Sequence, residues 1–213
     1  MKEFKSTPTP SLARLPKYLQ ILSEFKKNGL NIISSNLIAK ELNSDPVQVR
    51  KDIASTGIIG KPKTGYNIDE LIQSIEKHLN WNNTTDSILV GAGNLGKAFL
   101  GYSNFRKYGL NICAAFDTDE SKVGQVIKGI KILPMNNFVD YVYRMHIQIG
   151  IITVPQDNAQ KVAELMILAG IRAIWNFAPV QLKLPESIHV EDSHLSTDIA
   201  NLKRRLKEIN TKK

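Results

Sequence analysis

The chain has 213 residues, of which 42% are hydrophobic and 23% are charged, a balance typical of a soluble protein with a hydrophobic core. No apolar run approaches the roughly 18 residues of a membrane span, and the first residues lack the apolar stretch of a secretory signal, so a cytoplasmic protein without membrane partners is predicted. The single cysteine, Cys113, excludes an internal disulfide.

The positive charge is concentrated at the two ends of the chain. Residues 1–80 carry 12 Lys/Arg and 8 Asp/Glu (+4), residues 81–202 carry 10 and 11 (−1), and residues 203–213 carry 6 and 1 (+5), which together give the net charge of +8. Basic ends beside a neutral centre favour a polyanionic partner, because lysine and arginine release condensed counterions from phosphates. Lysines that only solubilise the surface would give the same pattern, so charge alone leaves both interpretations open.

The first 80 residues have the periodicity of short helices. Apolar residues recur at helical spacing over residues 12–25, and Gly29 is suited to end that helix. A second short helix is predicted over "NLIAKEL" and a third over residues 45–54, with Ser44 or Asp45 as its cap. Two helices joined by a short turn predict a helix-turn-helix, in which the third helix recognises DNA.

The predicted recognition helix exposes polar and basic side chains. Val49 and Ile53 should face the core. Either Gln48 and Arg50, or Arg50 and Lys51, should then project outward, where an arginine can bind guanine and a lysine can bind phosphate. The following basic segment "GIIGKPKTGYNI" is punctuated by glycines and predicts a β-hairpin wing, hence a winged helix over residues 1–80. A generic helical cap with solvated lysines is the alternative. The candidate DNA-binding residues are Ser44, Gln48, Arg50, Lys51, Lys61, Lys63 and Tyr66.

A polar segment at residues 78–86 predicts a linker, beyond which strand-like and helix-like segments alternate. Strands are predicted over "SILV", "NICAAF", "IKILP", "IQIGIIT" and "AIWNF", and helices over residues 94–107, 135–143 and 156–169. This alternation predicts an α/β domain with a doubly wound parallel sheet, the Rossmann arrangement, over residues 81–194. A last helix and a basic tail follow at residues 195–213.

A glycine motif of the form G-x-G-x-x-G stands at the first strand-to-helix turn of this domain. Such glycines let the backbone approach a pyrophosphate at the positive end of a helix. Asp117 ends the second predicted strand, where a carboxylate can accept hydrogen bonds from ribose hydroxyls and repel a 2′-phosphate, so NADH or NAD+ is favoured over NADPH. The residues expected at the pyrophosphate are Gly91, Ala92, Gly93, Asn94, Leu95 and Gly96.

The sequence offers little support for catalysis. No metal-ligand cluster and no second substrate domain are apparent, and no metal is expected. The histidines are His78, His146, His189 and His194, of which only His194, at the start of the last helix, is a candidate proton donor. An enzyme dependent on NAD(H), or a CoA-type nucleotide-binding protein with a basic appendage, stays the alternative to a DNA-binding regulator.

An ordered set of motifs resembles the Rex family of redox-sensing transcriptional repressors. The segments are "RLPKYLQIL", "VRKDI", "GKPKTGYNIDELI", "GAGNLGKAFLGY", "AFDTDESKVG", "IITVPQDNAQ" and "IWNFAP". The resemblance implies a homodimer that binds palindromic operators in double-stranded DNA and releases them when NADH rises. It also implies that the last helix is exchanged between subunits, and an apolar stripe supports this through Leu195, Ile199, Leu202, Leu206 and Ile209.

The resemblance also assigns residues to the nicotinamide half of the cofactor. These are Tyr102, Thr153, Val154, Pro155, Asn176 and Phe177. The chain departs from the family pattern in "IASTG" after the recognition helix and in "KPKTGY" at the wing. Gln20 and His194 also stand where the family often has an arginine and an aspartate that can pair.

Overall fold

The computed structural model describes residues 9–62, 64–193 and 195–211, so Lys63 and His194 lie outside the described residues. The chain divides into two compact units, the first ending at Asn83 and the second beginning at Thr84. Among the described residues, no helix is both long enough and apolar enough to cross a membrane.

Over residues 9–62 and 64–83, the first unit contains four helices and two very short strands. In chain order these are α1 (Thr9–Lys27), β1 (Ile32–Ile33), α2 (Ser35–Glu41), α3 (Pro46–Ser55), β2 (Tyr66–Asn67) and α4 (Ile68–His78). The cap of α3 is Asp45, whose Oδ1 accepts a hydrogen bond from the Val47 N–H at 2.8 Å. Val49 and Ile53 of α3 are fully buried, as their spacing predicts, and pack with apolar residues of α1 and α4.

The segment predicted as a hairpin wing has very little regular strand structure. Its far end, β2, pairs with β1 rather than with a preceding wing strand. Lys61 and Gly65 form a single antiparallel bridge, with N···O distances of 2.8 Å and 2.9 Å. The intervening turn contains Pro62, which has no N–H to donate, so a longer ladder is disfavoured.

The second unit is a seven-stranded sheet with helices, in the order β5-β6-β4-β3-β7-β8-β9. Its elements are β3 (Thr85–Val90), α5 (Asn94–Gly101), β4 (Leu110–Asp117), β5 (Val126–Ile127), β6 (Ile130–Pro134), α6 (Phe138–Arg144), β7 (Ile149–Ile152), α7 (Gln156–Leu168), β8 (Ala173–Asn176), β9 (His189–Asp192) and α8 (Leu195–Thr211). The strands of this sheet pair in parallel, except that the edge strand β5 is antiparallel to β6. The sequence pattern does not predict β5 as a strand.

The sheet is buried on both faces, as a doubly wound fold requires. Ile88 and Phe116 contribute to one apolar cluster, and Leu89 and Ala115 to another. The central strand β3 pairs with β4 on one side and β7 on the other. The winding direction therefore reverses beside β3, and ligands of such sheets bind at this switch point.

The helix predicted over residues 94–107 is not continuous. The α-helical part ends at Gly101, the backbone of Tyr102 is extended, and a 3-10 helix follows over Ser103–Tyr108. Glycine is a weak helix former, and it stands at the point where the regular helix stops. A short 3-10 turn, Met135–Asn137, likewise replaces the first turn of the helix predicted over residues 135–143.

Candidate functional sites

The glycine loop after β3 leaves no space for side chains at two of its positions. Gly91 has a φ of +105°, and a Cβ there would come within 2.8 Å of the Thr153 carbonyl carbon. A Cβ on Gly96 would overlap the Gly91 carbonyl oxygen. At Gly93, by contrast, nothing lies within 4 Å of the Cβ position, so a ligand can approach the backbone closely there.

Hydrogen bonds from both neighbouring strands fix this loop. The Gly91 N–H donates to the Phe116 carbonyl at 2.8 Å, and the Ala92 N–H donates to Asp117 Oδ2 at 2.7 Å. On the other side, the Thr153 hydroxyl donates to the Gly91 carbonyl at 2.7 Å. These hydrogen bonds hold the loop backbone in place between the ends of β4 and β7.

A cavity of about 570 Å³ opens at this loop, within the usual range for small-molecule sites. The first N–H groups of α5 have no acceptor within the helix, and they carry the positive end of the helix dipole. Asn94 and Leu95, in this first turn, are exposed. The predicted site residues that line the cavity are Gly91, Gly93, Asp117, Thr153, Val154 and Pro155.

Among the described residues that line the glycine-loop cavity, Asp117 is the only acidic one that is buried, with 8% of its surface exposed. Its Oδ2 accepts from Ala92 and from Lys122 Nζ at 3.2 Å, and its Oδ1 accepts from the Asp119 N–H at 2.9 Å. These donors use three of the roughly four acceptor positions of a carboxylate. The group can therefore accept a further hydrogen bond from a ligand hydroxyl.

Three residues predicted for the nicotinamide half lie away from the lining of this cavity. Asn176 is fully buried, and its amide donates to the Val180 carbonyl and to Asp192 Oδ1 at 2.9 Å and 2.8 Å. Tyr102 and Phe177 belong to an aromatic group with Phe99, Phe105 and Trp175. Tyr102 is 45% exposed and lines a second cavity, of about 350 Å³.

The predicted recognition helix, α3, exposes only some of the polar side chains expected to face outward. Arg50 and Lys51 are exposed, and Arg50 Nη1 donates to the Ser35 hydroxyl at 3.2 Å. Ser44 is half-buried, and its N–H donates to the Ala39 carbonyl at the end of α2. Gln48, expected to project outward, instead donates from Nε2 to Asp52 Oδ1 at 2.8 Å.

Asp52 is the centre of a polar network that sequence reasoning missed. It is fully buried and accepts from Arg14 Nε at 2.6 Å and from the Tyr18 hydroxyl at 2.6 Å. Burial alone would raise the pKa of this carboxyl, but hydrogen bonds from Arg14 and Tyr18 outweigh it and lower the pKa to about 2. The available signal was periodicity, which places position 52 on the buried face with Val49 and Ile53.

The wing segment is anchored by Tyr66 and exposes Lys61. A Cβ on Gly60 would come within 2.8 Å of the Tyr66 ring, so the chain passes directly against that half-buried side chain. The Tyr66 ring therefore supports the segment at Gly60. Lys63, the other wing lysine predicted to bind DNA, lies outside the described residues.

The last helix, α8, carries an apolar stripe that the rest of the described chain leaves uncovered. Its members are 56–69% exposed, which is high for large aliphatic side chains: Ile199, Leu202, Leu206 and Ile209.

Among the described residues, no group of three His, Cys, Asp or Glu side chains could hold a metal ion.

A winged-helix unit followed by a Rossmann unit with an ordered glycine loop defines a DNA-binding protein with a nucleotide-sensing domain. Two family models agree with this division: "Putative DNA-binding protein N-terminus" matches residues 6–54, and "CoA binding domain" matches residues 82–180. A redox-sensing transcriptional repressor Rex of Treponema denticola is 42% identical over 95% of this chain and 96% of its own. The chain belongs to the Rex family of redox-sensing transcriptional repressors.

Further relatives agree. A Rex repressor of Clostridium botulinum is 40% identical over 95% of this chain and 96% of its own. The crystal structure of RSP with β-NAD+ and operator DNA has a TM-score of 0.90 at 35% identity and covers 97% of this chain and 95% of that one. RSP with β-NADH gives a TM-score of 0.86 at 35% identity, over 96% of each chain. Because these relatives are repressors, they favour the regulator over the enzyme.

Proposed function

We propose that this chain represses transcription by binding operator DNA through its first unit, and that it senses the NADH/NAD+ ratio through its second. The observation that carries the proposal is the ordered glycine loop with Asp117 on the same cavity. A structural relative has been solved with β-NAD+ and operator DNA, and again with β-NADH, which supports both halves. We place its action in the cytoplasm.

The residues of the cavity fit a dinucleotide. Gly91 and Gly96 permit the tight turn, and Gly93 leaves space for a pyrophosphate, which the N–H groups of Asn94 and Leu95 and the dipole of α5 would stabilise. The Ala92 N–H, which donates to Asp117, would hold the loop in place. Asp117 would accept a hydrogen bond from an adenosine ribose hydroxyl at its remaining acceptor position. When bound, the cofactor supplies a nicotinamide ring that is positively charged when oxidised and neutral when reduced.

The nicotinamide side is proposed from the family resemblance and from position in the fold. Thr153, Val154 and Pro155 line the cavity beside Gly91 of the loop. Tyr102 ends α5 and, with Phe177, belongs to the aromatic group next to that helix. Asn176 holds β8 and β9 together, so we assign it the support of this part of the cavity rather than a direct contact.

DNA contacts are proposed for four cations of α3 and the wing segment, of which Arg50, Lys51 and Lys61 are exposed. Arg50 would read a base, and Lys51, Lys61 and Lys63 would bind phosphates. Ser44 stands at the turn before α3, where it can contact the backbone of the duplex. Gln48 and Tyr66 hold α3 and the wing in place, which is a positioning role.

We further propose a homodimer that buries the apolar stripe of α8 against a second copy. Two copies provide two recognition helices, which matches a palindromic operator. NADH and DNA would favour different arrangements of the dimer, and such coupling must be reciprocal. Deletion of residues 195–213 is therefore expected to give a monomeric or poorly folded chain that does not bind operator.

The test is DNA binding with and without cofactor. Palindromic duplexes selected from a random pool should bind the dimer, and NADH should release them at lower concentration than NADPH. Arg50→Ala should weaken operator binding by about 1–3 kcal/mol and relax one base preference per half-site. Lys40→Ala, on the neighbouring helix, is the control. Steady consumption of NADH with an oxidant would instead favour the enzyme.

A further inference from the structure

Lys122 forms a charge cluster with two aspartates at the rim of the glycine-loop cavity. Its Nζ lies 3.2 Å from Asp117 Oδ2 and 3.3 Å from Asp119 Oδ2, and its side chain is 27% exposed. Asp117 and Lys122 both line the cavity. The carboxylate expected to select the cofactor is thus paired with a cation that the same ligand can reach.

The turn after β4 holds this lysine in place. Asp119 accepts hydrogen bonds from the N–H and the hydroxyl of Ser121 at 3.0 Å and 2.6 Å. The Lys122 N–H donates to the Asp119 carbonyl at 3.0 Å, which turns the chain back toward Asp117. Hydrogen bonding to Asp117 raises the pKa of Lys122, so the ammonium stays charged at neutral pH.

The cluster changes the electrostatic argument for cofactor choice. A lone carboxylate at this position repels a 2′-phosphate strongly, whereas one within about 4 Å of an ammonium repels it less. The ammonium also offers the phosphate a direct partner. NADH has a hydroxyl at this position, so the charge of Lys122 matters much less for its affinity.

We propose that Lys122 is a specificity-determining residue that limits the discrimination between NADH and NADPH. The inference rests on the proposed function, because it assumes that the adenosine ribose lies at Asp117. It predicts that the chain prefers NADH yet still binds NADPH measurably. Removal of the ammonium leaves the two carboxylates uncompensated and increases the discrimination.

The experiment measures Kd for NADH and NADPH by calorimetry on the full-length protein. Lys122→Gln should weaken NADPH binding roughly tenfold and change NADH binding less than about twofold, as expected for loss of one charge near a phosphate. Lys122→Arg should keep the parent ratio. Lys161→Gln is the matched control, because Lys161 lines the same cavity but forms no ion pair with Asp117 in the described structure.

Three results would overturn the proposal. These are an unchanged NADPH/NADH ratio in Lys122→Gln, equal weakening of both cofactors, or the same change of ratio in Lys161→Gln. Thermal unfolding of each variant checks that the domain is intact, and Lys122→Met replaces Lys122→Gln if that variant does not fold. A parent protein that binds neither cofactor contradicts the proposed function itself, which is a different outcome.

Discussion

Each unit of this protein buries one aspartate, and the two carboxylates have different kinds of partners. Asp52 in α3 is fully buried and accepts hydrogen bonds from three side chains, those of Arg14, Tyr18 and Gln48. Asp117 at the end of β4 accepts from two backbone N–H groups and from Lys122. It also lies on the wall of a cavity.

The difference separates a structural carboxylate, Asp52, from one that we propose binds a ligand, Asp117. Four hydrogen bonds from α1 and α3 use the acceptor capacity of Asp52, so it joins the two helices and has none left for a ligand. The backbone donors of Asp117 fix the glycine loop, and one side of the group remains open to the cavity. Substitution of Asp52 should therefore lower the stability of the first unit, whereas substitution of Asp117 should weaken cofactor binding.

The largest expected effect comes from Arg14→Met, which leaves the Asp52 carboxylate buried without its counter-charge. Breaking a buried pair in this way costs about 3 kcal/mol or more. Urea unfolding of the first unit should show that loss when it is followed by the fluorescence of Trp81 in parent and variant proteins that both carry Trp175→Phe, and operator binding should fall with it. NADH binding should persist.

Lys17→Met is the control for Arg14→Met, because it removes the same charge from an exposed position of α1. Its unfolding should match the parent within about 0.5 kcal/mol. If both variants unfolded alike, the network around Asp52 would have no special weight in the stability of this unit.

A smaller loss, about 2 kcal/mol of NADH binding or roughly 30-fold in Kd, is expected for Asp117→Ala. Hydrogen bonds to a charged acceptor contribute about 1.5–3 kcal/mol, and the Ala92 N–H loses its partner as well. The preference for NADH over NADPH should also narrow. Calorimetry measures both affinities, with the exposed Asp140→Ala as the control, and equal NADH affinity in parent and variant would exclude the role given to Asp117.

The same contrast explains which features the sequence could predict. The glycine motif, its strand and helix, and Asp117 lie in a short stretch with fixed spacing, so local pattern suffices to propose them together. The strand predicted over "IKILP" corresponds to β6 residue for residue. The contact between Lys122 and Asp117 could not be predicted from the sequence pattern, because it depends on the turn made by Asp119 and Ser121.

The Asp52 network could not be predicted because its partners are distant along the chain. Arg14 and Tyr18 precede Asp52 by 38 and 34 positions, and only the packing of α1 on α3 brings them together. The sequence predicts that Gln48 faces DNA because the buried charge of Asp52, to which Gln48 donates a hydrogen bond, could not be foreseen. The end of α5 at Gly101 was missed because the apolar pattern continues through the 3-10 segment.

Lowering the pH should protonate Asp52 and reduce the free energy of unfolding of the first unit by about 1–2 kcal/mol. Its folded pKa of about 2 lies below the ordinary value of 3.8, so the unfolded chain binds the proton first as pH falls. The stabilisation is complete above about pH 4 and disappears as pH falls through about 2. Urea unfolding of the parent and Asp52→Asn should therefore converge over that range, whereas parallel curves would contradict the assignment.

The smallest effect is expected for Tyr18→Phe, which tests how much the hydrogen bond from Tyr18 to Asp52 contributes to the stability of the first unit. The ring of Tyr18 is fully buried and phenylalanine preserves its packing, so only the hydrogen bond to Asp52 is lost. Because Arg14 still holds the carboxylate, we expect a loss of about 1 kcal/mol in urea unfolding. Tyr143→Phe, on an exposed tyrosine of α6, should change nothing. In the double variant with Arg14→Met, the two losses should not add, because both residues bind the same group; simple additivity would mean that Arg14 and Tyr18 stabilise α3 independently.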